Sequence, residues 1–355
     1  MGITEGGAPA RLLQAAVGRW ATVVIVIGVL VSASAIGVAL VSDGSVSFAD
    51  ESDYASLAAN LADSGRFSMD GVDSTAFRPP GFPFFLTAAA LFSEDLVVLR
   101  VSNAALAGCV VVLAALVARL VGGRLAALLA AAGSAVSPIA LYTATKLYPQ
   151  TLAAVLLLGS LGAVLLAVRR EGSHRMIWSA VAGLGAGALT LTVPNHGVTV
   201  LAMVLWLVWT LRGRALWPVL VLLAVSAVVV GSWTVRNLVV LDEVVPVSTN
   251  GGINLLLGNN DRAGAGTGPN VDISEVLEEA NRRGLDEVDR DEFLRDEATE
   301  WIVSNPVDAG RLYAAKFLNT FSVSQELATD DQQPSTLATV VVAATYLPLL
   351  AVFVL

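Results

Sequence analysis

Cysteine is almost absent. Cys109 is the single one in 355 residues, which excludes a disulfide framework and a cysteine-rich zinc site. Charge is scarce too: 14% of residues are charged, against about 25% in an ordinary soluble domain. The formal net charge is −9, with no clustered Lys and Arg of the kind that phosphate-backbone recognition needs, so nucleic-acid binding is excluded. No Gly-Lys-Ser/Thr follows the Asn/Gly-rich stretch at 250–260, so there is no P-loop. Ionisable groups are nearly missing from the middle of the apolar segments, which speaks against a transporter, whose mid-span positions carry such groups.

What the chain has instead is apolar length. It is 55% hydrophobic, with a mean hydropathy of +0.71. A bilayer crossing needs roughly 20 apolar residues. Segments near 21–41, 95–118, 124–142, 151–168, 176–193, 197–211, 216–235 and 336–355 satisfy this, giving about eight spans. Each is predicted to be a helix, because a lone strand leaves its backbone unsatisfied in lipid. The fold class is therefore an all-α polytopic membrane protein. The apolar piece at 81–92 is too short to cross and reads as a re-entrant or interfacial helix. Arg11 and Arg19, Arg119 and Arg124, Arg169, Arg170 and Arg175, and Arg212 and Arg214 fall on one side of this arrangement, which the positive-inside rule makes cytoplasmic. Two long outer loops remain, 42–94 and 236–335. The expected domains are a transmembrane domain over 1–235, an extracytoplasmic region over 236–335 and a last transmembrane helix over 336–355. The first apolar segment is longer than a signal-peptide core and lacks a clear cleavage site, so it reads as a retained anchor. The apolar end at Ala351–Leu355 reads as a short or truncated chain.

The outer loops hold the polar chemistry. Asp50 and Glu51 stand just past the first span. Tyr54, Leu57, Ala58 and Leu61 then recur at helical spacing, predicting an interfacial helix that closes near Gly65. The acids sit in its first turn, where the helix dipole favours them. They read either as a solvated helix start or as a reactive pair. In Phe77-Arg78-Pro79-Pro80-Gly81-Phe82-Pro83 the prolines forbid a regular helix and hold Arg78 in a rigid segment. Trp206, Trp209 and Trp217 form an aromatic belt. The acids between 272 and 300 read as a solvated helical face, with a metal or cationic ligand as the other reading. Asn and Gly density over 250–260 predicts tight turns with positive φ. Two helices are expected near 289–304 and 307–321, split by Asn305-Pro306, with Trp301, Ile302, Leu312, Tyr313, Phe317 and Phe321 facing the membrane domain or each other.

Several of these patterns together resemble the integral-membrane C-type glycosyltransferases of the protein mannosyltransferase and aminoarabinose transferase kind. They are Asp50-Glu51-Ser52-Asp53-Tyr54 with Leu57–Leu61, Arg78-Pro79-Pro80-Gly81-Phe82-Pro83, Trp233-Thr234-Val235-Arg236-Asn237 with Val245–Gly252 and Gly258-Asn259-Asn260, and more weakly Glu297-Ala298 through Trp301-Ile302 to Asn305-Pro306. Their order, spacing and side carry the resemblance over about 20–325. It implies a helical bundle with outer-face loops that takes a sugar from a polyprenyl-phosphate carrier at the outer face of the cell membrane. Asp50 is then the general base at the acceptor, with Glu51 beside it. Arg78, Arg236 and Lys146 are the cations for the donor phosphate. Tyr54, His196 and Asn250 are the implied substrate contacts, although a lone His in such a place also reads as structural. No resident metal is expected, Asp50 and Glu51 being at most a partial seat for one Mg²⁺ or Mn²⁺. The implied partners are the polyprenyl-phosphate sugar donor, membrane lipid, and an acceptor that stays open between lipid, polysaccharide and protein. The chain departs from the family at Gln150-Thr151-Leu152, where relatives often carry an acid, and at Thr192-Val193-Pro194, where they often have Arg before Pro. These departures point to a different substrate or a weakened enzyme. The rival reading is a non-catalytic membrane scaffold or transporter-like protein derived from the same fold.

Overall fold

The computed structural model describes residues 18–42, 44–47, 49–266, 271–321, 340 and 343–347. Among them every regular element is helical: α1 Trp20–Leu40, α2 Ala49–Ser64, α3 Gly81–Ala90, α4 Leu96–Ala135, α5 Pro138–Ala144, α6 Gln150–Arg169, α7 Gly172–Thr192, α8 Gly197–Leu211, α9 Leu216–Leu241, α10 Gly251–Gly258, α11 Ser274–Arg283, α12 Glu287–Ser304 and α13 Pro306–Thr320. The chain divides into two compact units. The first comprises residues 1–74 and 79–240, the second Thr75–Arg78 and 241–355.

Among the described residues five helical segments are long and apolar enough to cross a membrane: Trp20–Leu40, Leu96–Ala135, Gln150–Arg169, Pro194–Arg214 and Leu216–Leu241. The chain is thus a helical protein with the makings of a membrane protein, with fewer such segments than the eight expected. Three differences account for this. The expected spans at 95–118 and 124–142 are joined in α4 through Gly123, which has non-helical dihedrals with φ 86°. Val111 and Ser134 line one cavity, although a straight helix would hold them roughly 35 Å apart at 1.5 Å per residue, so the chain reverses at Gly123. The second arm then breaks before Pro138, where Ser137 caps α5. The expected span 176–193 falls on α7, whose Ser, Gly, His174 and Arg175 content keeps it outside the five. The expected span 336–355 lies almost wholly outside the described residues.

In the first unit α1 lays a seam of Val24, Gly28, Val31, Ala35 and Ala39 against α4. The helices approach so closely that a methyl on Gly108 would lie 2.3 Å from the Gly28 carbonyl oxygen. Small residues permit such contact where lipid supplies no hydrophobic drive between helices. Ser32 Oγ adds polar bonds across the seam, accepting from Gly108 N–H at 2.9 Å and donating to the Ala105 carbonyl at 2.9 Å. Away from the seam α1 exposes Ile25, Val29 and Leu30. Cys109 is also exposed, as are Trp206, Trp209 and Trp217.

The second unit contains α10 to α13. The helices expected near 289–304 and 307–321 are α12 and α13. Leu312 is buried and Phe317 packs edge-on against Phe321, while Tyr313 and Phe317 stay exposed. One helix, α10, went unforeseen, and α11 falls within the stretch 272–300 that reads as a helical face. α11 ends at Gly284 in the left-handed conformation. α10 occupies the stretch expected to hold positive-φ turns; Gly251, Gly252 and Gly258 all have ordinary φ. Gly252 is needed for space instead, since a methyl there would sit 2.0 Å from the Asp291 carbonyl oxygen.

Candidate functional site

The first turn of α2 brings the polar groups of the first unit together. α2 lies on α3 and α4 through Tyr54, Ala58, Phe82, Leu86, Leu99 and Leu147, so its opening residues are held by the apolar face behind them. Glu51 is fully buried at that opening. A buried carboxylate must be paired, and its partner is Arg100, also fully buried, whose Nη2 donates to Oε2 at 2.7 Å and whose Nε donates to Oε1 at 3.2 Å. This two-pronged geometry suits a guanidinium and would be lost with lysine. Glu51 also accepts from the backbone N–H of Leu147 at 2.8 Å and of Ser47 at 2.8 Å. Burial pushes its carboxyl upward in pKa. The Arg100 bond and the two backbone donors outweigh that and hold it below its ordinary value.

Arg100 reaches further. It donates to the Ser45 carbonyl at 2.6 Å and to Ser42 Oγ at 3.2 Å, tying the turn between α1 and α2 to α4. Lys146 joins from the turn before α6, its Nζ donating to Ser47 Oγ at 2.6 Å. Asn103 Nδ2, one turn after Arg100, donates to the Lys146 carbonyl at 2.7 Å and so fixes that turn. Two half-buried carboxylates flank the locked one on α2, Asp50 immediately before it and Asp53 two residues after.

The other expected residues lie as follows. Tyr54 is buried, with its ring edge-on to Phe82 at 5.1 Å. Arg236 is half-buried, its guanidinium 4.7 Å from the Trp233 ring centroid and 5.6 Å from that of Phe67. It also donates to Asn237 Oδ1 at 3.0 Å and to the Phe67 carbonyl at 3.3 Å. Phe84 packs on the same Trp233 and Phe67 rings. Phe82 and Phe84 project from opposite sides of α3, so this short helix joins the Tyr54 cluster to the Arg236 cluster. Gly81, at its start, fits against Thr192, whose Oγ1 would be 2.3 Å from a methyl there. His196 is half-buried in the single turn Pro194–His196, where its carbonyl accepts from Thr199 Oγ1. Arg78 and Asn250 belong to the second unit. The Arg78 guanidinium lies 5.0 Å from the Phe77 ring centroid, and Asn250 Oδ1 accepts from Ser248 Oγ at 2.9 Å.

Two departures from the sequence reading concern acids. Glu51 lies beside Asp50 but has both carboxylate oxygens occupied by Arg100 and backbone donors, which leaves no open pair for a metal in this arrangement. Among the described residues no group of three or more His, Cys, Asp or Glu is placed to hold a metal ion. In the second unit the acidic stretch is not wholly solvated. Asp291 is buried, accepts from Gly252 N–H and pairs with Arg295, and Glu287 is taken up by three donors described below.

Arg100 and Asn103 were missed. The available signal was an ionisable residue near the start of an apolar segment, which by itself marks a site of interest. Its partner could not be read, since Glu51 is 49 positions away. Comparison with family models, with curated proteins and with solved structures gives no match to this chain.

Proposed function

We propose that the chain is a membrane glycosyltransferase that takes a sugar from a polyprenyl-phosphate carrier, with Asp50 as general base. The observation that carries this reading is the start of α2: Glu51, the residue after Asp50, is clamped by Arg100, Leu147 and Ser47, and the Lys146 ammonium donates to Ser47 Oγ just before the helix. A carboxylate at such a helix start, with a cation bonded just before it, suits proton abstraction beside a departing phosphate.

In the proposed step the Asp50 carboxylate accepts the proton of an acceptor hydroxyl or amine. The acceptor's lone pair forms the new bond to the anomeric carbon as the bond from that carbon to the carrier phosphate oxygen breaks. The electron pair leaves with the phosphate, and the configuration inverts. The phosphate gains one negative charge, which Lys146 and Arg236 are proposed to balance. Arg78 is proposed as a phosphate-binding cation of the second unit. Glu51, catalytic in the sequence reading, acts here as the residue that positions Asp50. The membrane setting is the cell membrane with the chemistry at its outer face, and the step uses no resident metal.

The test is transfer by the purified chain from a panel of labelled polyprenyl-phosphate sugars, repeated in excess chelator and with Asp50→Asn. The variant keeps its size and remains an acceptable helix-start residue. It should lose about 10²–10⁴-fold in rate at an unchanged melting temperature. Near-normal transfer by a well-folded Asp50→Asn would sink the assignment and favour the scaffold reading.

A further inference from the structure

We infer that Glu287 is a positioning residue for Arg78, acting through the short strap Thr75-Ala76-Phe77-Arg78; the inference rests on the phosphate role proposed for Arg78. Glu287 opens α12 and engages the strap with both oxygens. Its Oε2 accepts from Thr75 Oγ1 at 2.5 Å, and its Oε1 accepts from the Ala76 backbone N–H at 2.8 Å and from Thr249 Oγ1 at 2.6 Å. The bonds continue outward. Thr75 Oγ1 accepts from the Phe77 N–H at 2.9 Å, and the Thr249 N–H donates to the Ala76 carbonyl at 3.0 Å. Thr75, Ala76 and Thr249 are all buried. The Thr75 hydroxyl and the backbone at 76 and 77 are therefore held, immediately before the one charged side chain of the strap. The Phe77 ring packs with the Arg78 guanidinium, and Pro79 restricts the Arg78 backbone from the other side.

The chemistry needs a carboxylate. Donors arrive at both oxygens, and an amide of the same shape presents an N–H to one of them. The neighbouring acids Glu292, Asp296 and Glu300 are exposed, so the burden within this acidic stretch falls on Glu287 for the strap and on Asp291 for α10. Thr75 and Glu287 are 212 positions apart, and no local pattern announces their pairing.

Hydrogen–deuterium exchange of the full chain, with farnesyl phosphate binding as the probe of the cation, tests this. Glu287→Gln should speed exchange at Ala76 and Phe77 roughly tenfold or more, as expected for loss of charge-assisted bonds, and should weaken farnesyl phosphate binding about as much as Arg78→Ala does. Thr75→Val should do the same, and Thr75→Ser, which keeps the hydroxyl, should restore both. Adding Glu287→Gln to Arg78→Ala should cost nothing further, because both changes act on one group. Unchanged exchange at both amides in Glu287→Gln and Thr75→Val overturns the clamp. Weakened binding in Arg78→Ala with none in Glu287→Gln overturns the positioning role alone. Unchanged binding in Arg78→Ala removes the phosphate reading of Arg78, and the inference falls with it.

Discussion

The two units hold their acids by different means. In the membrane-helix unit Glu51 is fully enclosed among apolar helices and is met by a fully enclosed arginine. In the second unit Glu287 is satisfied by hydroxyls and a backbone N–H, and Asp291 by a backbone N–H together with Arg295, whose side chain remains 51% exposed. The surroundings explain the contrast. The first unit turns Ile25, Val29, Leu30 and Leu205 outward, and Glu51 and Arg100 are themselves closed to solvent. A carboxylate there needs a full counter-charge, because leaving a buried ion unpaired costs far more than pairing it gains. The second unit turns Glu275, Arg282, Asp296 and Arg311 outward, and the half-buried Glu287 there is met by hydroxyl and backbone donors. A surface ion pair in that setting contributes little. The same residue type thus means a structural keystone in one unit and a local tether in the other.

The contrast is tested most severely by Arg100→Ala. It leaves Glu51 buried without a cation and should cost about 3–5 kcal/mol, read as a large drop in melting temperature of the purified protein. Replacing both partners, Glu51→Leu with Arg100→Met, should recover most of the loss, since a matched apolar pair avoids the unpaired charge. A double variant as unstable as the single one would show that the Ser45 and Ser42 bonds of Arg100 matter more than the ion pair. Next in size is Gly252→Ala. The added methyl collides with the Asp291 backbone, which cannot swing away as a side-chain end could, and should cost about 1–3 kcal/mol, visible as faster exchange of α10 and α12 amides.

Acid should act on the first unit through Glu51. The Glu51 carboxyl titrates below its ordinary value of 4.5, so its contribution is complete above pH 4.5 and is lost as pH falls through the folded-state value beneath it. The melting temperature should decline below that pH in the native chain, and this component should vanish in the Glu51→Leu/Arg100→Met variant. The smallest effect belongs to Arg295→Ala. Its guanidinium is half solvated, and removal should cost about 0–1 kcal/mol. A loss as large as that of Arg100→Ala would erase the distinction between the units.

Helix α2 and the pair α12 and α13 were legible because period and punctuation agree locally. Apolar residues recur at Tyr54, Leu57, Ala58 and Leu61 before Gly65, which adopts φ 68°. Asn305-Pro306 divides the later pair where proline must begin a new helix. α10 was illegible because its glycines serve close packing against Asp291, a contact made across 39 positions. The reversal at Gly123 was half legible: the two spans were expected, but the break before Pro138 was not. At the candidate site Asp50 was placed beside Glu51 by adjacency alone, whereas the division between them, one carboxylate clamped and the other beside it, needed Arg100 and Leu147.

Composition and apolar length alone determined the helical, membrane-compatible class, because lipid forbids unsatisfied backbone whatever the tertiary arrangement. Local spacing determined where acids and prolines punctuate the helices, because capping and backbone restriction act within a few residues. Only the tertiary structure decided which acid carries a cation, which glycine is required for space and which loop Glu287 holds. Those outcomes depend on groups 39 to 212 positions apart meeting in a common environment, and burial sets the cost of leaving them unpaired.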